Sequence, residues 1–162
     1  PDIDGPFQQG LALHQAGQLP EAEACYRAVL AAEPAQYGAL FGLGLICLAQ
    51  RRFVEAVELF DLATHEKPDA PEPHACLGDA HFGLARLDQA IEAYETAVRL
   101  RPEYPEAHNN LGNALERAGR PEQAVMHFEE ALHLEPDFAL AHNSLAISLQ
   151  SLDRRDDAIF HL

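Results

Sequence analysis

Apolar positions in this chain fall at helical spacing, and they keep falling at the same places. In residues 105–138, His108, Leu111, Gly112 and Leu115 share one face of a helix. After the stretch AGRP, Ala124, Phe128, Ala131 and Leu132 share the inner face of a second helix. Pro121 suits the first turn of that helix, where its missing N–H is harmless, and Pro136 stops it. Gly119 supplies the left-handed turn between the two, a place held elsewhere by Arg51, Ala85 or Asp153. The pattern therefore predicts paired helices of about 12 residues, each marginal alone, so packing between helices must supply the stability.

This helical pair recurs. Pro34, Pro68, Pro102 and Pro136 are 34 residues apart, as are Ala22, Ala56, Ala90, Ala124 and Ala158. Gly10, Gly44, Gly78 and Gly112 keep the same step, with Ala146 in the fifth place. Four residues after each of the first four alanines stands a ring: Tyr26, Phe60, Tyr94 and Phe128. No insertion breaks the register, which is the mark of a repeat array. Gly112 and Ala124 are read as steric devices that let two helices approach closely.

The stretch HNNLGNAL…AVMHF…EP, residues 108–136, resembles the tetratricopeptide repeat: an aromatic-type site, Leu-Gly, Ala-x3-Phe and a closing Pro. His108 and Leu115 stand where that family often carries large aromatics. The resemblance implies an all-α fold, a right-handed α-solenoid of tandem helix-turn-helix repeats. Full repeats are expected at 3–36, 37–70, 71–104 and 105–138, with a partial one at 139–162, all in one continuous solenoid domain. The first is the loosest, with Pro6 and Gln9 at core-type sites and Val29 in place of Ala. The fifth stops at Leu162 without a polar cap, so the chain is expected to belong to a longer protein.

Net charge is −15, which argues against a nucleic-acid partner, since phosphate binding needs a basic stripe. No apolar run reaches membrane-spanning length. The odd trio Cys25, Cys47 and Cys76 forms no CxxC and reads as reduced, at least partly buried thiols of a cytoplasmic protein. Ten arginines against one lysine, with abundant Ala, fit a bacterial coding sequence.

Three asparagines, Asn109, Asn110 and Asn113, enter the predicted helix of the fourth repeat although Asn is a poor helix former. On a helical wheel Glu106, Asn109, Asn113 and Glu116 lie opposite the core face, with Asn110 and Arg117 at its edge. In the resembled family the first helices line a concave inner surface, which implies that these side chains face a groove. Asn143 repeats the place of Asn109 one period later. An amide offers a donor and an acceptor together, which suits the main chain of an extended peptide. The matching sites of earlier repeats are Phe7, Leu11 and His14, then Phe41, Leu45 and Leu48, then Ala75, Cys76, Asp79 and Phe82. The groove is thus expected to run from apolar to amide-rich. The family's carboxylate clamps use groove Lys and Arg, whereas Phe7, Leu11, Gly42, Glu72 and Cys76 stand here.

Catalytic and cofactor signatures do not emerge. There is no GxxxxGK[ST], and no HExxH or Cys pair accompanies the nine histidines. His74, His108 and His142 hold one repeat position and read as packing residues; no metal or cofactor is called. The expected function is a non-catalytic scaffold that takes a peptide or helix of a protein partner in its groove. The AHNNLGNALERAGRPEQAV style also resembles the arrays preceding O-linked N-acetylglucosamine transferases, so a recognition arm of a larger enzyme is an alternative. That carry-over rests on Asn109, Asn110, Asn113 and Asn143. Self-association through the uncapped fifth repeat is a further one.

Overall fold

The computed structural model describes residues 3–152. Asp153 and Ala158, both named above in the fifth repeat, lie outside the described residues.

Every described element is an α-helix: α1 Asp4–Gln15, α2 Leu19–Ala32, α3 Tyr37–Ala49, α4 Phe53–Glu66, α5 Pro71–Gly83, α6 Leu87–Leu100, α7 Pro105–Arg117, α8 Pro121–Leu134 and α9 Ala139–Ser151. The chain is an all-α helical-repeat protein of the solenoid class. Pro121 occupies the first turn of α8, which ends two residues before Pro136, as the spacing predicts. Pro6 lies near the start of α1, where a missing amide hydrogen does no harm, and so the loosest repeat still forms its helix.

The helices group into two compact units that divide the chain between Leu84 and Ala85. In the first unit α1 packs on α2 and α3, α3 on α4 and α5, and α2 and α4 on the helices that follow them. Its first helices α1, α3 and α5 therefore form a row. In the second unit α7 touches three helices, α6, α8 and α9.

The turns close as the glycine pattern implies. Gly17 and Gly119 have φ of 73° and 76°, while Arg51 and Ala85 hold the same left-handed region at 60° and 56°. In the turns at Gly17, Arg51 and Gly119 the next amide reaches back five residues, Gln18 to the Leu13 carbonyl at 2.9 Å, Arg52 to Cys47 at 2.8 Å, Arg120 to Leu115 at 2.9 Å. That bond pairs a carbonyl the helix end would otherwise leave open.

Three of the periodic glycines each face a ring. A Cβ on Gly10 would stand 3.1 Å from Tyr26, one on Gly44 2.6 Å from Phe60, and one on Gly112 2.5 Å from Phe128. These rings are 0–1% exposed and anchor the core together with Ala22, Ala56 and Ala124. The repeat motif is thus a Gly–ring contact sixteen positions apart, and its cause is steric.

Candidate partner-binding face

In the first unit the expected groove residues sit on α1, α3 and α5, on the row of first helices. Phe7, Phe41 and Leu45 are half-buried and pack against the core cluster, and Leu11 is 37% exposed. Phe7 lies over Gly38 of α3, and its ring centroid is 6.2 Å from that of Tyr26. Phe41 stacks on Tyr37 at 5.9 Å with planes 3° apart and tilts against Phe60 at 5.9 Å. The Lys67 ammonium rests 4.1 Å over the Tyr37 ring, completing a short cation–ring–ring column. The aromatics are therefore held by the fold rather than standing free, and each leaves only part of its surface outward. Asp79 and Phe82, on α5, are half-buried as well.

Burial, with Asp79 and Glu72 adding to it, pushes the Cys76 thiol up to about 12, and burial drives Cys47 to about 11. Both are protonated near neutrality and are packing groups rather than nucleophiles. None of the three cysteines is in a disulfide.

On the second helices of this unit, a charge network joins α2 to α4. Arg52 bonds Glu23 at 2.9 Å and Glu55 at 2.5 Å, and Arg27 bonds the same two carboxylates at 2.8 and 2.5 Å. The Arg52 and Arg27 hydrogen bonds hold Glu23 below the usual carboxylate range against the opposing effect of burial. For Glu55 burial is the largest influence and pulls upward, yet the two guanidiniums outweigh it. A cleft of about 540 Å³ opens beside this network at the α3–α4 turn, lined by Arg51, Arg52, Phe53, Val54, Glu55 and Leu84. None of these is a groove residue, and the Arg52 charge there is already paired.

The second unit corrects the expected amide ladder. Asn109 is buried, 3% exposed, rather than facing outward. Its amide nitrogen donates to Asn110 Oδ1 at 3.3 Å, and its own Oδ1 is enclosed without a partner among the described residues. The wheel failed here because it assumes one covered side, whereas α7 is packed by three helices. Asn113 Oδ1 accepts from Ser144 Oγ at 3.1 Å, and Glu116 accepts from Ser148 Oγ at 2.5 Å and from Ser151 Oγ at 3.4 Å. Asn113 and Glu116 thus stitch α7 to α9. Arg117 and Asn143 remain exposed, the latter flanked on α9 by Leu140 and Ile147, 63% and 61% exposed.

Sequence reasoning missed Ser144 and Ser148. The available signal is the period itself: the side-chain bonds from α7 to α9 join residues 31, 32 and 35 apart, close to one repeat. It also missed what the recurring histidines do. Nε2 of His74, His108 and His142 lies 3.1, 2.9 and 2.8 Å from the carbonyl oxygens of Pro68, Pro102 and Pro136. A carbonyl only accepts, so each ring carries its proton on Nε2 and ties its helix to the preceding turn. Among the described residues no group of three or more His, Cys, Asp or Glu gathers as a metal cage, and no helix is long and apolar enough to cross a membrane.

Paired helices closed by prolines, with a Gly–ring contact in the first, second and fourth periods, define a helical-repeat protein. The tetratricopeptide repeat family matches residues 7–71 and 77–137, and the chain belongs to it. Among solved structures, it superposes on a crystal structure of MamA with a TM-score of 0.88 at 24% identity, covering 94% of this chain and 89% of that one. MamA from Desulfovibrio magneticus RS-1, residues 41 to the end, gives 0.79 at 27%, covering 85% and 77%. YrrB, described as a TPR protein with an unusual peptide-binding site, gives 0.86 at 21%, covering 99% and 82%. Among curated protein sequences, none matches this chain.

Proposed function

We propose that the chain is a non-catalytic interaction scaffold that binds an extended segment or helix of a protein partner, chiefly through the first-helix face of α1, α3 and α5. The single observation that carries this is the row itself: Leu11 exposed, with Phe7, Phe41, Leu45 and Phe82 half-covered, and with Phe7 and Phe41 held against neighbouring rings. Half-exposed apolar side chains held in fixed rotamers lose little entropy on binding, so their burial converts efficiently into affinity. Glu72 and Asp79 on α5, in a chain of net charge −15, favour a segment that carries basic residues between apolar anchors. The peptide-binding site ascribed to YrrB, which shares the fold, is consistent with this use. Binding of a random peptide library to the wild type and to Leu11→Asp/Leu45→Asp tests it. Library members that bind the wild type are expected to lose at least about tenfold in the variant and to keep affinity for Met126→Asp, a charge placed on exposed α8.

A recognition arm for acceptor polypeptides draws on Asn109, Asn110, Asn113 and Asn143, of which Asn109 is buried and Asn113 is bonded to Ser144. That leaves the apolar face with the stronger support. Self-association draws on exposed Leu140 and Ile147, and a sedimentation series with Leu140→Asp/Ile147→Asp checks it: wild-type association that the variant abolishes supports it, and a wild-type monomer at every concentration removes it.

A further inference from the structure

One pair of side chains in the second unit is not explained by partner binding. His108 on α7 and His127 on α8 bring their Nδ1 atoms within 3.2 Å, with ring centroids 5.4 Å apart and planes 28° apart. His108 is 8% exposed, and its Nε2 donates to the Pro102 carbonyl at 2.9 Å. That bond fixes the proton on Nε2 and leaves Nδ1 as a bare lone pair. Metal-ligating histidines are held in just this manner, with the remote N–H on a carbonyl. Two nitrogens that each lie about 2.0–2.1 Å from one ion, at ligand angles between right-angled and tetrahedral, are separated by about 2.9–3.3 Å. The observed spacing falls inside that interval without any movement of either helix.

We propose that His108 and His127 form a two-imidazole site for a divalent transition-metal ion such as zinc, bound through both Nδ1 atoms and clamping α7 to α8. Without the ion, the Nδ1–H of His127 donates to Nδ1 of His108. With it, that proton leaves Nδ1 while Nε2 of the same ring takes one up from solvent. Both rings stay neutral, and no net proton is released. Glu130, one turn along α8 and close enough to act on the His127 charge, adds negative potential. Water fills the remaining positions, because no third protein ligand is gathered there, which makes the site open rather than caged. In earlier repeats the place of His127 holds Cys25, Leu59 and Ala93, so among the described repeats only the fourth pairs two imidazoles. In the sequence the same nineteen-residue spacing recurs at His142 and His161, the latter outside the described residues.

The test uses the tag-free chain, stripped with a chelator and titrated with zinc chloride while the imidazole ¹⁵N resonances are followed. The Nδ1 signals of His108 and His127 are expected to shift together along one saturation curve, and melting to move upward. His127→Gln, whose amide still donates toward His108, is expected to weaken zinc binding at His108 at least about tenfold. His133→Gln, exposed on the same helix, is expected to leave it unchanged. Wild-type resonances that do not move, or an unchanged His108 titration in His127→Gln, overturn the site. The wild-type spectrum decides even where a variant unfolds.

Discussion

The Phe128 ring lies against Gly112 so closely that a single methyl group at that glycine would stand 2.5 Å from it. Gly112→Ala gains helix propensity of about 1 kcal/mol but forces the fully buried ring or the helix to shift, which costs more. The net loss expected is about 1–2 kcal/mol, read as a lower urea midpoint. Gly112→Ala/Phe128→Leu is expected to recover part of it, because the smaller side chain vacates the contact.

This contact was legible in the sequence, since a glycine and a ring sixteen residues apart recur with the period. Helix pairing, the proline stops and the left-handed turns at Gly119, Arg51 and Ala85 were legible for the same reason: each is a local backbone or steric requirement. Side chains joining different helices were not. Asn109 reads as outward on a wheel that knows one partner, while α7 has three. Glu116 gives no hint of Ser148, thirty-two residues on, until the bonds from α7 to α9 are known to join residues close to one repeat apart. The His108–Pro102 bond was hidden because its acceptor is a backbone carbonyl, which no residue identity reports.

The left-handed turns carry a second expectation. Ala85 holds φ 56°, a conformation that costs a residue with a Cβ about 1 kcal/mol and glycine nearly nothing. Ala85→Gly relieves that strain but adds freedom to the unfolded chain, so a net gain of about 0.5 kcal/mol is expected. Gly119→Ala, at φ 76°, is expected to lose about 1 kcal/mol. Opposite shifts in melting temperature check both.

The α2–α4 network predicts an acid limb. Glu23 and Glu55 have folded pKa values below 4.5, so they bind fewer protons in the folded state than in the unfolded one. Their contribution is complete above that value and is lost as pH falls through the folded values. Arg52→Ala removes the central guanidinium and is expected to cost about 1 kcal/mol at neutral pH and less in acid. Melting curves from pH 3 to pH 7 for both proteins check this.

The histidine pair acts at higher pH. Burial first, and then the neighbouring His108, lowers the His127 pKa below 6.5, while Glu130 pulls the other way. A depressed histidine leaves the folded state with fewer protons than the unfolded one, so stability is full above about 6.5 and falls as pH drops through the folded value. The wild type is expected to lose more melting temperature than His127→Gln between pH 7 and pH 5.5, with metal removed by chelator throughout.

The central claim is that the first helices of the first unit receive the partner. Hydrogen–deuterium exchange, with and without a peptide selected from the library, reads it directly. Added protection is expected in α1, α3 and α5. Protection confined to α2 and α4, or to α7 and α9, would contradict the account.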